Sequence, residues 1–189
     1  MPIPLSLEAW QVSSRQDFAC YLRLLAYDCE QVCQERDPGF PVATRWTNRT
    51  VDGFLWAWVL LLRGQAADAG PGWRGLACQL DVLRTAPGET NLAVADPQLD
   101  SEDVAGAADL RAYAAALAVD FARDRREMRA KAERGEWVGD GGSWAHRTLH
   151  GWLAGWASWV AADSPLHAEL EPVTWRSVAL QLSAAKIYE

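Results

Sequence analysis

Trp46-Thr47-Asn48-Arg49-Thr50-Val51-Asp52-Gly53-Phe54-Leu55-Trp56-Ala57-Trp58 returns later in the chain as Trp144-Ala145-His146-Arg147-Thr148-Leu149-His150-Gly151-Trp152-Leu153-Ala154-Gly155-Trp156. Six of the 13 aligned positions are identical. A segment that recurs at a fixed offset reports an internal repeat, and the fold is read around it.

The recurrence extends in both directions. Asp17, Phe18, Tyr21, Leu25 and Asp28 match Asp109, Leu110, Tyr113, Leu117 and Asp120 at an offset of 92, and Trp46 matches Trp144 at 98. Trp73-Arg74-Gly75-Leu76-Ala77-Cys78-Gln79-Leu80 matches Trp175-Arg176-Ser177-Val178-Ala179-Leu180-Gln181-Leu182 at 102, with five of eight residues kept. The offset grows in steps that fall between helices, where insertions are tolerated.

Each half reads as three helices. Ser14, with Asp17 three residues on, opens the first. Phe18, Tyr21, Leu22, Leu25, Cys29 and Val32 follow at spacings of three and four, an amphipathic pattern. Asp37-Pro38-Gly39-Phe40-Pro41 breaks it. Asn48 or Thr50 caps the second helix, and Trp73 opens the third. Ser101, with Glu102 and Asp103, is expected to restart a helix whose first turn is acidic. No strand-type alternation of useful length is present. The expected fold is all-α: two tandem three-helix repeats packed as a pseudo-two-fold helical bundle. The expected divisions are a lead-in at 1–13, repeats at 14–87 and 101–189, and a linker at 88–100. A unit near 75 residues has a thin core alone, so the two should pack together like a dimer fused into one chain.

The 189 residues are 50% hydrophobic and 23% charged, an ordinary globular mix. The 11 tryptophans fall mostly at helical spacing, which favours core packing over ligand stacking. Net charge is −7, which argues against nonspecific nucleic-acid binding and fits a basic protein partner. The charge is uneven. Arg123, Arg125, Arg126, Arg129, Lys131 and Arg134, set against Asp124, Glu127 and Glu133, leave residues 123–134 at +3 and the remainder at −10. This run reads as a solvated helix extension with mixed-sign pairs such as Glu127 with Lys131.

Met1-Pro2-Ile3-Pro4 lacks the cationic-then-apolar pattern of a signal peptide, and the apolar run Phe54 to Leu62 is too short to span a bilayer. A cytoplasmic location is expected. Cys20, Cys29, Cys33 and Cys78 form no CxxC pair and read as free, mostly buried thiols.

The second half closes on Ala184-Ala185-Lys186-Ile187-Tyr188-Glu189. Together with Trp144, Thr148, Trp152 and Trp156, this resembles a family of short bacterial all-helical proteins of unknown function. There a first helix ends in Asp, a Trp-x-Asn-x-Thr/Leu turn opens the second, and the chain ends Ala-Lys-Ile-Tyr-Glu. Here the first half keeps the turn and has Leu83-Arg84-Thr85-Ala86 at the ending; the second keeps the ending and has His146 in place of Asn. The resemblance implies architecture and brings no activity.

Asp28 and Asp120 sit on apolar stripes, where a carboxylate costs free energy unless it accepts hydrogen bonds. They read as structural polar residues, with Asn48, Thr50 and Thr148, each acid accepting from the Trp turn of its own half. The alternative is a helical enzyme or metal-dependent module in which Asp28 and Asp120 do acid–base work and His146 and His150, four apart on one helix face, hold a metal, with His167 beyond. No HExxH arrangement and no phosphate loop accompanies them. No catalytic residue, cofactor or metal is assigned. The reading is a non-catalytic cytoplasmic protein-binding module, in its most concrete form an immunity- or antitoxin-type protein neutralising a basic toxin domain. A scaffold or regulatory subunit is the further alternative. Candidate contacts are Asp96, Asp100, Glu102 and Asp103, and Trp137 in the Gly-rich stretch 135–142.

Overall fold

The structure, a computed structural model, describes residues 7–34, 46–63, 70–84, 86, 100–137, 142–162 and 170–187. Among the described residues six α-helices run in order: α1 (Arg15–Gln34), α2 (Val51–Leu62), α3 (Gly72–Leu83), α4 (Ala107–Glu133), α5 (Leu149–Ala161) and α6 (Trp175–Ile187). Every regular element among the described residues is helical, and short 3-10 turns at Ala9–Gln11 and Ser101–Asp103 precede α1 and α4.

The first turn of each long helix is set by an aspartate. Asp17 Oδ2 accepts from the backbone N–H (3.1 Å) and hydroxyl (2.8 Å) of Ser13. Asp109 Oδ2 accepts from the N–H groups of Ala105 and Gly106 at 3.0 and 3.1 Å. These bonds satisfy donors that a helix start leaves orphaned. The expected helix start at Ser101 is therefore corrected. Ser101–Asp103 is a separate 3-10 turn, and α4 begins at Ala107, where Asp109 can reach back to cap it.

The two halves interlock. α1 packs chiefly against α5, and α2 chiefly against α4, so each half's first helix lies on the other half's second. α2 is apolar nearly all round, and every residue from Phe54 to Val59 is buried. That is the signature of a helix enclosed on all sides. The core runs along an aromatic chain that crosses between halves. Phe18 meets Trp156 edge-on (5.6 Å), Trp58 stacks on Trp156 (6.2 Å, 27°), and Phe54 meets Trp152 (6.3 Å). Gly70, before α3, lies against the backbone of Val173 and Thr174, before α6.

Within this core Trp152 Nε1 and Gln181 Nε2 are buried with no hydrogen-bond partner. A buried orphan donor costs about 1–3 kcal/mol. Phe54 occupies the matched place in the first half and has no such atom. Trp152→Phe is therefore expected to change stability by no more than about 1 kcal/mol, the lost ring volume being offset by removal of the orphan N–H. Trp156→Phe, which strands the Gln181 carbonyl as well, is expected to cost about 2–3 kcal/mol. Urea unfolding followed by circular dichroism separates the two; equal losses would contradict this account.

Candidate functional site

Two turn-and-helix clusters hold the polar residues singled out from the sequence. In the first, Thr50 is the N-cap of α2 and its hydroxyl accepts from the Gly53 N–H at 3.3 Å. Four residues upstream, the Trp46 indole donates to Asp28 Oδ2 at 2.8 Å, and Arg84 approaches the same oxygen at 3.4 Å. Asn48 does not cap α2. Its amide donates to the carbonyls of Leu83 and Ala86, both at 2.8 Å, and so closes the end of α3.

In the second cluster Thr148 caps α5 by accepting from the Gly151 N–H at 3.3 Å. Trp144 donates to Asp120 Oδ2 at 2.9 Å, and Lys186 donates to that oxygen at 2.8 Å while lying 5.3 Å over the Trp144 ring. Arg123 reaches Asp120 Oδ1 at 2.5 Å. Deeper in the core, Trp58 and Trp156 each donate to a glutamine of the third helix of their own half: Gln79 at 2.9 Å and Gln181 at 3.0 Å.

Asp28 and Asp120 thus face their own turns, each with an indole and a cation on one carboxylate oxygen. Burial raises the pKa of Asp120, but the hydrogen bonds from Lys186 and Trp144 outweigh it and hold the group below its usual range. Its folded pKa is depressed, so its contribution is present above the unfolded value near about 3.9 and is lost as pH falls through the folded value. Asp120→Asn is expected to cost about 1 kcal/mol at neutral pH, kept small because solvent still reaches the site, and to flatten the acid limb of stability below about pH 4. Unfolding midpoints measured from pH 2 to 7 test this; an unchanged acid limb would exclude the role given to Asp120.

The histidines are corrected. His146 precedes α5 rather than lying on it, so it does not form an i,i+4 helical pair with His150. It occupies the place of Asn48, its ring against Gly151. His150 Nε2 lies 3.3 Å from the Thr148 hydroxyl. His167 and Asp96 are outside the described residues. Among the described residues no three or more His, Cys, Asp or Glu stand together as a metal-binding group.

The thiols are all free, but only Cys29 is buried; Cys20 and Cys78 are half-buried and Cys33 is exposed. Burial, with Cys33 beside it, pushes the Cys29 thiol up to about 12, away from a reactive thiolate at neutral pH. An open cleft of about 380 Å³ between α2 and α3 is lined by Leu61, Pro71, Gly75, Cys78, Gln79 and Val82. Its one amide, on Gln79, holds Trp58 through its oxygen.

Asp124, read from sequence only as part of a charge run, is a structural acid. It is 6% exposed and accepts from the Ser143 N–H at 2.7 Å, the Ser143 hydroxyl at 2.9 Å and the Arg125 guanidinium. Burial opposes its ionisation, and these donors, Arg125 first, hold its pKa below the ordinary value nonetheless. Gly142 (φ +97°) presses on the carboxylate and leaves no room for a Cβ.

Asp100, Glu102 and Asp103 are exposed, and Trp137, 88% exposed, stands beyond the end of α4. Among the described residues no helix is long and apolar enough to cross a membrane. No protein family, curated protein or solved structure matches the chain.

Proposed function

We propose that the chain is a non-catalytic protein-binding module, of the kind that neutralises a basic toxin domain. The observation that carries this reading is how its polar groups are spent. Asp28, Asp120 and Asp124, the acids best placed for chemistry, are each bound by donors of the chain itself. A general acid or base needs a carboxyl free to meet a substrate proton. Among the groups that face solvent are Asp100, Glu102 and Asp103, together with an indole at Trp137. Exposed carboxylates steer a cationic partner, and tryptophan is a preferred interface anchor. This reading assigns the chain to the cytoplasm, where four free thiols stay reduced.

We also read residues 14–87 and 101–189 as copies of one three-helix unit, folded on its twin about an approximate two-fold axis. The paired Trp–Asp, Trp–Gln and Thr–Gly bonds support that reading.

The test is co-expression with the product of each adjacent gene, scored by rescue of growth and by co-purification. The full chain is expected to rescue growth against one such product. A variant with Asp100→Lys, Glu102→Lys and Asp103→Lys is expected to fail in both assays. Equal capture and rescue by that variant would reject the acidic contact face.

A further inference from the structure

α4 is the longest helix among the described residues. It has 27 residues against 20 in α1, about 40 Å of helix, and Asp124 is its last buried residue. The residues that follow it in α4 are half-buried or exposed. Arg123, Arg126, Arg129 and Arg134 are all exposed there. At 100° per residue, Arg126 stands opposite Asp124 and Met128, with Arg123 and Arg129 about 60° to either side, so the three form one ridge, which also carries the exposed Glu133. Arg123 holds Asp120 and Arg134 holds Glu136, while Arg126 and Arg129 enter none of the ion pairs among the described residues. At the other end of the same helix, Asp100, Glu102 and Asp103 are exposed on the turn that leads into it.

The two charged ends cannot meet within one molecule. Ala107 to Arg126 spans about 29 Å of helix, more than three screening lengths of about 8 Å at physiological salt. They can meet in a pair. We propose that the outward face of α4 is a self-association surface, occupied by α4 of a second copy running antiparallel. The Arg126/Arg129 ridge of each then lies against Asp100, Glu102 and Asp103 of the other. Such a contact is isologous: the same charge match occurs twice, and the pair closes on itself. The guanidinium forks suit carboxylates, and the −10 carried by the rest of the chain repels an anionic nucleic-acid competitor. The pair covers the carboxylates assigned above to a basic partner, so a toxin domain and a second copy would exclude one another.

The test is sedimentation equilibrium of the full chain, which needs no toxin and can fail independently of the partner reading. A dimer is expected at about 0.05 M salt, weakened about tenfold or more at about 0.5 M, because rim charges are screened. Arg126→Glu with Arg129→Glu is expected to be monomeric, as is Glu102→Lys with Asp103→Lys. An equimolar mixture of these two variants is expected to dimerise, since both contacts of the mixed pair regain opposite signs. All four side chains are exposed, and unchanged circular dichroism confirms folding. A full chain that stays monomeric at low salt, a dimer indifferent to salt and charge reversal, or a mixture that fails to pair would each overturn the proposal.

Discussion

Trp156→Ala is expected to cost about 5 kcal/mol, a large fraction of the total stability of a folded domain. Trp156 is fully buried and touches rings from both halves: Phe18 at 5.6 Å, Trp58 at 6.2 Å and Trp152 at 5.4 Å. Truncating a core tryptophan removes its transfer free energy and opens a cavity that rigid aromatic neighbours cannot fill, about 3–5 kcal/mol. The Gln181 carbonyl also loses its donor, on a side chain whose Nε2 is already unpartnered, which adds about 1–3 kcal/mol. Urea unfolding by far-ultraviolet circular dichroism gives the value without relying on the mutated fluorophore. Trp58→Ala should cost a similar amount, and the double variant less than the sum, because the two rings stack on each other. A loss under about 2 kcal/mol for Trp156→Ala would mean that the two halves are not joined through this ring.

Gly70→Ala is expected to cost about 3 kcal/mol although it adds one methyl group. A Cβ there would fall on the Val173 carbonyl and the Thr174 backbone. Backbone cannot swing aside as a flexible side chain can, so the turns before α3 and α6 must separate. Gly75→Ala is the control. It lies inside α3, its Cβ would meet only Pro71 Cβ at 3.4 Å, and Ala is the better helix former by about 1 kcal/mol. Gly75→Ala should therefore be neutral or stabilising in the same unfolding assay. If the two glycine variants behave alike, the close approach at Gly70 is not a constraint on the fold.

The helices were legible where physics acts locally. Apolar residues at spacings of three and four mark buried stripes, and Thr50 and Thr148 announce helix starts because a hydroxyl there satisfies an orphan N–H. What lay beyond reach depends on distant partners. Asn48 looked like a cap, yet its partners are carbonyls at Leu83 and Ala86. Asp124 was hidden among arginines. It continues the spacing of Tyr113, Leu117 and Phe121, a signal that its charged neighbours obscured. Ser101 carried the marks of a helix start, but Asp109 made a better one six residues later. His146 and His150 had metal spacing only on the assumption that both were helical. The pairing of α1 with α5 and of α2 with α4 had no local signal at all.

That pairing bears on how the molecule comes into being. An N-terminal half emerging first from the ribosome carries α1 and α2 without the helices they chiefly pack on, so much of their apolar surface lacks its cover until α4 and α5 arrive. Collapse then depends on contacts far apart along the chain, the kind that slow folding. For the same reason, cutting the chain between its halves should yield two pieces that each need the other to become ordered.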